Sequence, residues 1–366
     1  MHFVNKASYG AAIAALFFLS IARCDCQTTG GGLLSNDGET GSLNALVQYL
    51  YNIPQFRKAV YASKDDTDFV TELQRIFFQI QYRGCADTSA LADFEEWVFV
   101  ENPGTADVSE LRQVLLGNIL SETDIDASIA RLFRGRVENT IEASAVNFES
   151  SREETFLSIF LRVAGLDGLV ASLNDYAEEE VLKGDNQIFV EDEGLVDGIR
   201  TSKFAELPPV LQLDFRRFTF NGVGVEKVDA SFGYPTILDF SAENKGVLNE
   251  EAADTAASQR YLLHSVISHS GSADAGIFRT FALVSDQESG TDGWYRFDNE
   301  EVVSVAEIDA VEGLFGDGTE SENAYLVTYV RMSDWDEVNA PTGKKDIPNA
   351  KRTLFEGEEA DPRCMQ

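Results

Sequence analysis

"NDGETGSLNALVQYL", residues 36–50, joins a polar, glycine-bearing turn to a segment whose apolar residues Leu43, Leu46, Val47 and Leu50 recur at i, i+3, i+4, i+7. That period predicts an α-helix with a buried face. A turn that runs straight into a helix is a natural seat for a nucleophile or an anion. The first N–H groups of the helix are unpaired there, and the helix dipole favours negative charge. The residue at this junction, however, is Gly41, which has no side chain.

Outward from this stretch the chain divides by period. Residues 68–83, 106–120 and 124–135 carry apolar side chains at three- and four-residue spacing, and Pro103-Gly104 interrupts the chain before the second. From residue 136 the period becomes two. The segments 136–146, 154–164, 209–220, 260–271, 276–286, 293–305 and 323–332 are rich in β-branched and aromatic residues and are separated by Gly-, Asp- and Ser-bearing turns. Helices followed by antiparallel strands predict an α+β domain. Residues 333–366, polar and containing Pro341, Pro348 and Pro362, read as a mostly irregular tail.

The first 22 residues read as a secretory signal: a short polar start with Lys6, an apolar run over 11–22 and small residues at its end. Residues 23–32 form a flexible lead-in ending in "QTTGGG". The expected destination is the secretory pathway or the outside of the cell, with delivery into another cell's cytosol as a further possibility. The net charge of −33 argues against a nucleic-acid partner and against an anionic membrane surface. Cys24, Cys26, Cys85 and Cys364 allow three disulfide pairings, among which the sequence does not choose. No metal and no cofactor is expected, since the cysteines lack zinc-ligand spacing. His264 and His269, five apart on one strand, are expected to face opposite ways, with His264 in or near the core.

Four stretches in one order carry more than composition does: 32–51, "LPPVLQLDFRRF" (207–218), "YLLHSVISHSGSADAGIFRTFAL" (261–283) and 293–331 with "GWYRFDNEEVVSV" and "NAYLVTYVR". Together they resemble the catalytic domain of the ubiquitin-specific proteases, cysteine peptidases that remove ubiquitin, with the closest likeness to the herpesvirus-associated member. The resemblance spans residues 33–332. It implies a papain-like fold with a helical thumb and with fingers and palm of antiparallel β-structure, the ubiquitin tail lying between palm and thumb.

In the family, the turn before the first thumb helix carries the nucleophilic cysteine, and the matching residue here is Gly41. The family's histidine matches Ile277. The acid that orients it matches Asp298, and the asparagine that helps hold the oxyanion matches Asn36. Asp107 and Glu110 match acidic residues that engage basic groups near the ubiquitin C-terminus, and Phe232 matches an aromatic residue placed against ubiquitin. The zinc-binding cysteines of the fingers have no counterpart. A helix dipole and a neighbouring histidine lower the pKa of such a thiol, and glycine and isoleucine supply neither thiol nor base. The sequence therefore leads to the expectation of a secreted pseudoenzyme, not an enzyme, that binds ubiquitin, a ubiquitin-like protein or another protein. The alternatives are an active cysteine-type deubiquitinase using Ser42 or Cys85, and a structural or decoy protein of the secretory pathway.

Overall fold

The computed structural model describes residues 32–34, 40–63, 68–93, 106–121, 126–220, 222–241, 244–254, 259–273, 275–285, 292–317 and 322–359. The opening segment is a strand, β1 (Leu33–Leu34), followed by α1 (Gly41–Tyr51), α2 (Pro54–Ala62) and α3 (Asp68–Arg83). Then come β2 (Cys85–Ala86), α4 (Ser89–Ala92), α5 (Val108–Ser121) and α6 (Asp126–Phe133). These helices form the thumb. Pro54 starts α2, where its missing N–H costs nothing. The amide of Gln74 in α3 donates to the carbonyls of Val60 and Ser63, at 2.8 and 3.2 Å, and so satisfies the open end of α2. Phe77 of α3 meets Tyr51, Phe56 and Tyr61 edge-on in the thumb core. Helix α1 is buried from Ser42 to Tyr51, polar residues included, so it is a central helix and not a half-exposed one.

The fingers begin with β3 (Gly135–Ala143) and β4 (Phe148–Phe156); β5 (Ile159–Arg162) and α7 (Leu169–Tyr176) then lead to β6 (Glu180–Leu182), β7 (Ile188–Val190), β8 (Gly194–Val196) and β9 (Gly198–Glu206). A four-stranded sheet runs in the order β4-β3-β9-β6, and β7 and β8 form a hairpin. The palm strands are β10 (Val210–Arg216), the hairpin β11 (Phe218–Phe220) and β12 (Val225–Lys227), and β13 (Ile237–Asp239). They continue past α8 (Glu250–Asp254) with β14 (Arg260–Gly271), β15 (Gly276–Ser285), β16 (Asp292–Asp298) and β17 (Glu301–Val305), then α9 (Glu307–Ala310) and β18 (Asn323–Arg331). Their eight-stranded sheet has the order β17-β16-β15-β14-β18-β10-β5, with β13 on β14, and is antiparallel except where β5 meets β10. The expected division into thumb, fingers and palm is observed.

The last segment departs from the sequence reading. Two helices, α10 (Trp335–Val338) and α11 (Asn349–Gly357), occupy what reads as an irregular tail. Phe355 is buried against Phe78, and Arg83 of α3 donates to the carbonyls of Phe355, Glu358 and Glu359. An arginine at a helix C-terminus both pairs the last carbonyls and complements the dipole.

Arg217, between β10 and β11, is fully buried. Its guanidinium donates to the carbonyls of Ala324, Val228, Ala230 and Phe315, stapling three separate segments. Burial pushes its pKa down to about 10, which leaves it protonated at neutral pH. Arg217→Leu strips these carbonyls of a donor at once, and a loss of about 2–4 kcal/mol is expected from the usual cost of unpaired buried groups. A urea midpoint lowered at unchanged m-value checks it.

Candidate functional site

Thumb and palm meet along a polar seam built from residues of α1, α5 and the palm sheet. In its middle, the hydroxyl of Tyr49 donates to Gln212 at 2.7 Å and accepts from Thr328 at 2.9 Å, while Thr280 of β15 donates to the Ala45 carbonyl at 2.7 Å. Beside it, Arg112 of α5 donates to Asp214 of β10 at 2.6 Å and to Ser158 at 3.1 Å, and Ser109 donates to the same carboxylate. The side chains of Arg112 and Asp214 are 1% and 2% exposed.

At the N-terminus of α5, the Asp107 carboxylate accepts the N–H groups of Ser109 and Glu110 at 2.7 and 3.4 Å and the hydroxyl of Tyr325. Asp107 is thus an N-cap as well as a bridge to β18. Burial, followed by the charge of Asp107, pushes the Tyr325 phenol far up, so it stays a donor. Glu110, in the first turn of α5, is exposed.

The residues singled out at positions 41 and 277 fall at the ends of two packed elements. Gly41 is the first residue of α1, and a Cβ built there meets nothing within 4 Å. Ile277 is the second residue of β15, opposite Ser270 of β14, and is 49% exposed. Asp298 ends β16, where Arg279 donates to its carboxylate at 2.5 Å and the amide of Asn299 does so at 3.2 Å. Asn36 lies outside the described residues.

Ser42 is buried in α1. Cys85 is disulfide-bonded, so it offers no free thiol. Phe232 corrects an expectation: it is fully buried, its ring 4.8 Å from that of Phe215, and it fills the palm core instead of facing a partner. Tyr234 is buried with it and donates to the Val311 carbonyl. Among the described residues no cluster of His, Cys, Asp and Glu could hold a metal ion, and no helix is long and apolar enough to cross a membrane.

Sequence reasoning missed Arg279, Asn299 and Tyr325. Arg279 is two residues beyond Ile277 on one strand, hence on the same face; strand alternation was the available signal. For His269 the strand period gives only a direction, away from His264. Its ring packs against Phe218 and Phe278, and a Cβ at Gly276 would come within 1.9 Å of its Nε2, so position 276 must be glycine. His264 instead meets Trp335 and shares a 3.2 Å hydrogen bond with Asn339.

Burial pushes both imidazoles down to about 4, with Lys227 adding to the effect at His269 and Asp229 opposing it. The unfolded chain then binds protons that the folded chain refuses. The stabilisation is complete above the ordinary histidine value and is lost as pH falls from about 6.5 towards 4. At pH 5 the expected loss is about 2 kcal/mol per histidine relative to pH 8. Urea midpoints at the two pH values measure it, and His264→Gln should reduce the loss.

Comparison with known proteins agrees with this architecture. The family model described as "Ubiquitin carboxyl-terminal hydrolase" matches residues 33–329. The chain belongs to the ubiquitin carboxyl-terminal hydrolase family. Among curated hydrolases it is 32% identical to Ubiquitin C-terminal hydrolase 12 of Arabidopsis thaliana, over 92% of this chain and 32% of that protein. It is 33% identical to Ubiquitin carboxyl-terminal hydrolase 7 of Caenorhabditis briggsae, over 89% of this chain and 30% of that one. The chain therefore spans about a third of the length of these relatives. Its fold is similar to a chain in the structure of the SAGA Ubp8/Sgf11/Sus1/Sgf73 DUB module bound to ubiquitin aldehyde, with a TM-score of 0.67 and 20% identity over 83% of this chain and 70% of that one.

Membership in a hydrolase family corrects the expectation that this chain is not an enzyme. That expectation rested on two positions, 41 and 277, whereas the match runs through the whole domain and the relatives are named hydrolases. Nothing in the comparisons shows a loss of activity.

Proposed function

We propose that this member of the ubiquitin carboxyl-terminal hydrolase family recognises ubiquitin, with the ubiquitin C-terminal tail lying along the thumb–palm seam. The observation that carries the reading is the family match over the full thumb, fingers and palm, residues 33–329. Glu110 supports it, as an exposed carboxylate on the first turn of α5 beside that seam. The net charge of −33 would steer a basic partner towards it. Glu110→Arg is expected to weaken ubiquitin binding by at least about tenfold, because like charges brought together at an interface repel. Biolayer interferometry at two salt concentrations tests it; unchanged affinity removes Glu110 from the interface.

A second reading, cleavage of the bond at the ubiquitin C-terminus, is favoured by the names of the relatives. Residue 41 brings no side chain and residue 277 no proton acceptor, so cleavage here draws on other groups. Release of a fluorophore from the C-terminus of ubiquitin by the purified chain measures it directly. We also propose that the chain is exported. The apolar run at 11–22 and the disulfide at Cys85, a bond suited to oxidising compartments, support this. Recovery of a tagged chain from the medium tests it.

A further inference from the structure

Around Arg279, two residues along β15 from Ile277, side-chain hydrogen bonds run without a break from the thumb to the palm. Thr88, which precedes α4, donates to Asn44 of α1, whose amide donates to Asn299 at 2.8 Å. Asn299 donates to Asp298 at 3.2 Å, and Asp298 accepts from Arg279. Arg279 also reaches Glu322 at 3.4 Å, and Glu322 accepts from Ser268 of β14 at 2.6 Å. Arg279, Asp298 and Glu322 have side chains only 19%, 21% and 28% exposed, so their attraction is less screened than at an open surface. A further bond to Ser270 at 3.3 Å directs the guanidinium to the residue paired with Ile277.

We propose that Arg279 is a positioning residue of the seam: it takes Asp298 for the chain of bonds that fixes the first turn of α1 to the palm, and so withholds that carboxylate from the side chain at 277. A guanidinium is a permanent, forked donor, and Asp298 has its remaining oxygen turned to Asn299. An imidazole placed at 277 would have to compete with both. The thumb helix, in turn, depends on a palm arginine for its register.

The test needs no ubiquitin, so its failure is separate from failure of ubiquitin recognition. The imidazole introduced by Ile277→His is titrated by NMR alone, with Arg279→Val, and with Arg279→Val plus Asp298→Asn. The expected result is a pKa at least one unit higher with Arg279→Val, a tenfold change in proton affinity, which disappears when Asp298→Asn is added. Equal values in the first two variants overturn the proposal. So does a rise that survives Asp298→Asn, because it would report only the loss of a nearby cation.

Amide exchange of Asn44 and Ala45 supplies the second readout. Arg279→Val should speed it about tenfold. Should that variant not fold, Asp298→Asn, which keeps the side-chain shape, is expected to do the same, and unchanged exchange in a folded variant overturns the proposal.

Discussion

Asp214→Ala is expected to lower the stability of the domain by about 3–5 kcal/mol, the cost of leaving one member of a buried ion pair alone. Asp214 is the shared acceptor of Arg112 and Ser109, and Arg112 is among the largest fully buried side chains. Among the described residues the Nη1 of Arg112 meets no partner, and the bonds to Asp214 and Ser158 hold the charge in place. Removing the carboxylate leaves a buried cation that, among the described residues, keeps its hydrogen bond to the Ser158 hydroxyl. Arg112→Leu combined with Asp214→Leu removes both charges and should recover most of the loss, because well-packed apolar pairs replace buried ion pairs at little cost. Chemical denaturation of the single and double variants measures both. A single variant within about 1 kcal/mol of the parent would mean that water enters the seam.

The second large effect concerns chemistry. Gly41→Cys combined with Ile277→His is expected to label with a thiol-reactive ubiquitin C-terminal probe at least about 10²-fold faster than Gly41→Cys alone, the usual contribution of a positioned base. Space is available, since a Cβ at residue 41 has no neighbour within 4 Å. Cysteine at the start of α1 would feel the helix dipole, which lowers a thiol pKa. Ile277 is exposed enough for a larger polar group to replace it without disturbing the core. Addition of Arg279→Val should raise the rate again by releasing Asp298. Equal labelling by Gly41→Cys with and without Ile277→His would show that residues 41 and 277 do not face one another across the seam.

How much of this could be read beforehand follows from which forces act locally. Helix α3 is observed at residues 68–83, as its three- and four-residue spacing predicts, because its apolar stripe alone decides it. Strands β14 and β15 match their period-two segments for the same reason. Helix α2 shows no long apolar stripe, and its Pro54 stands at the one helical position that tolerates proline. Helix α11 buries only Phe355, too little apolar surface to mark a helix in a polar, proline-bearing segment, and the carbonyls at its end are met by Arg83 of a distant helix. Within the site, Gly41, Ile277 and Asp298 were legible through resemblance. The bond from Arg279 to Asp298 was not, since it joins two strands through side chains whose charges look like surface charges in sequence. Phe232 shows the opposite error: a residue type suited to a contact surface is spent on the core, and only burial tells the two apart.

The central claim, that ubiquitin is recognised along the thumb–palm seam, is tested most directly by isothermal titration of the purified, folded chain with intact mono-ubiquitin and with ubiquitin shortened at its C-terminus. The account predicts saturable binding of intact ubiquitin with a Kd on the order of 10 µM, about −7 kcal/mol, and a large loss on shortening the tail. No heat with intact ubiquitin at hundreds of micromolar, or equal binding of the shortened form, would contradict it.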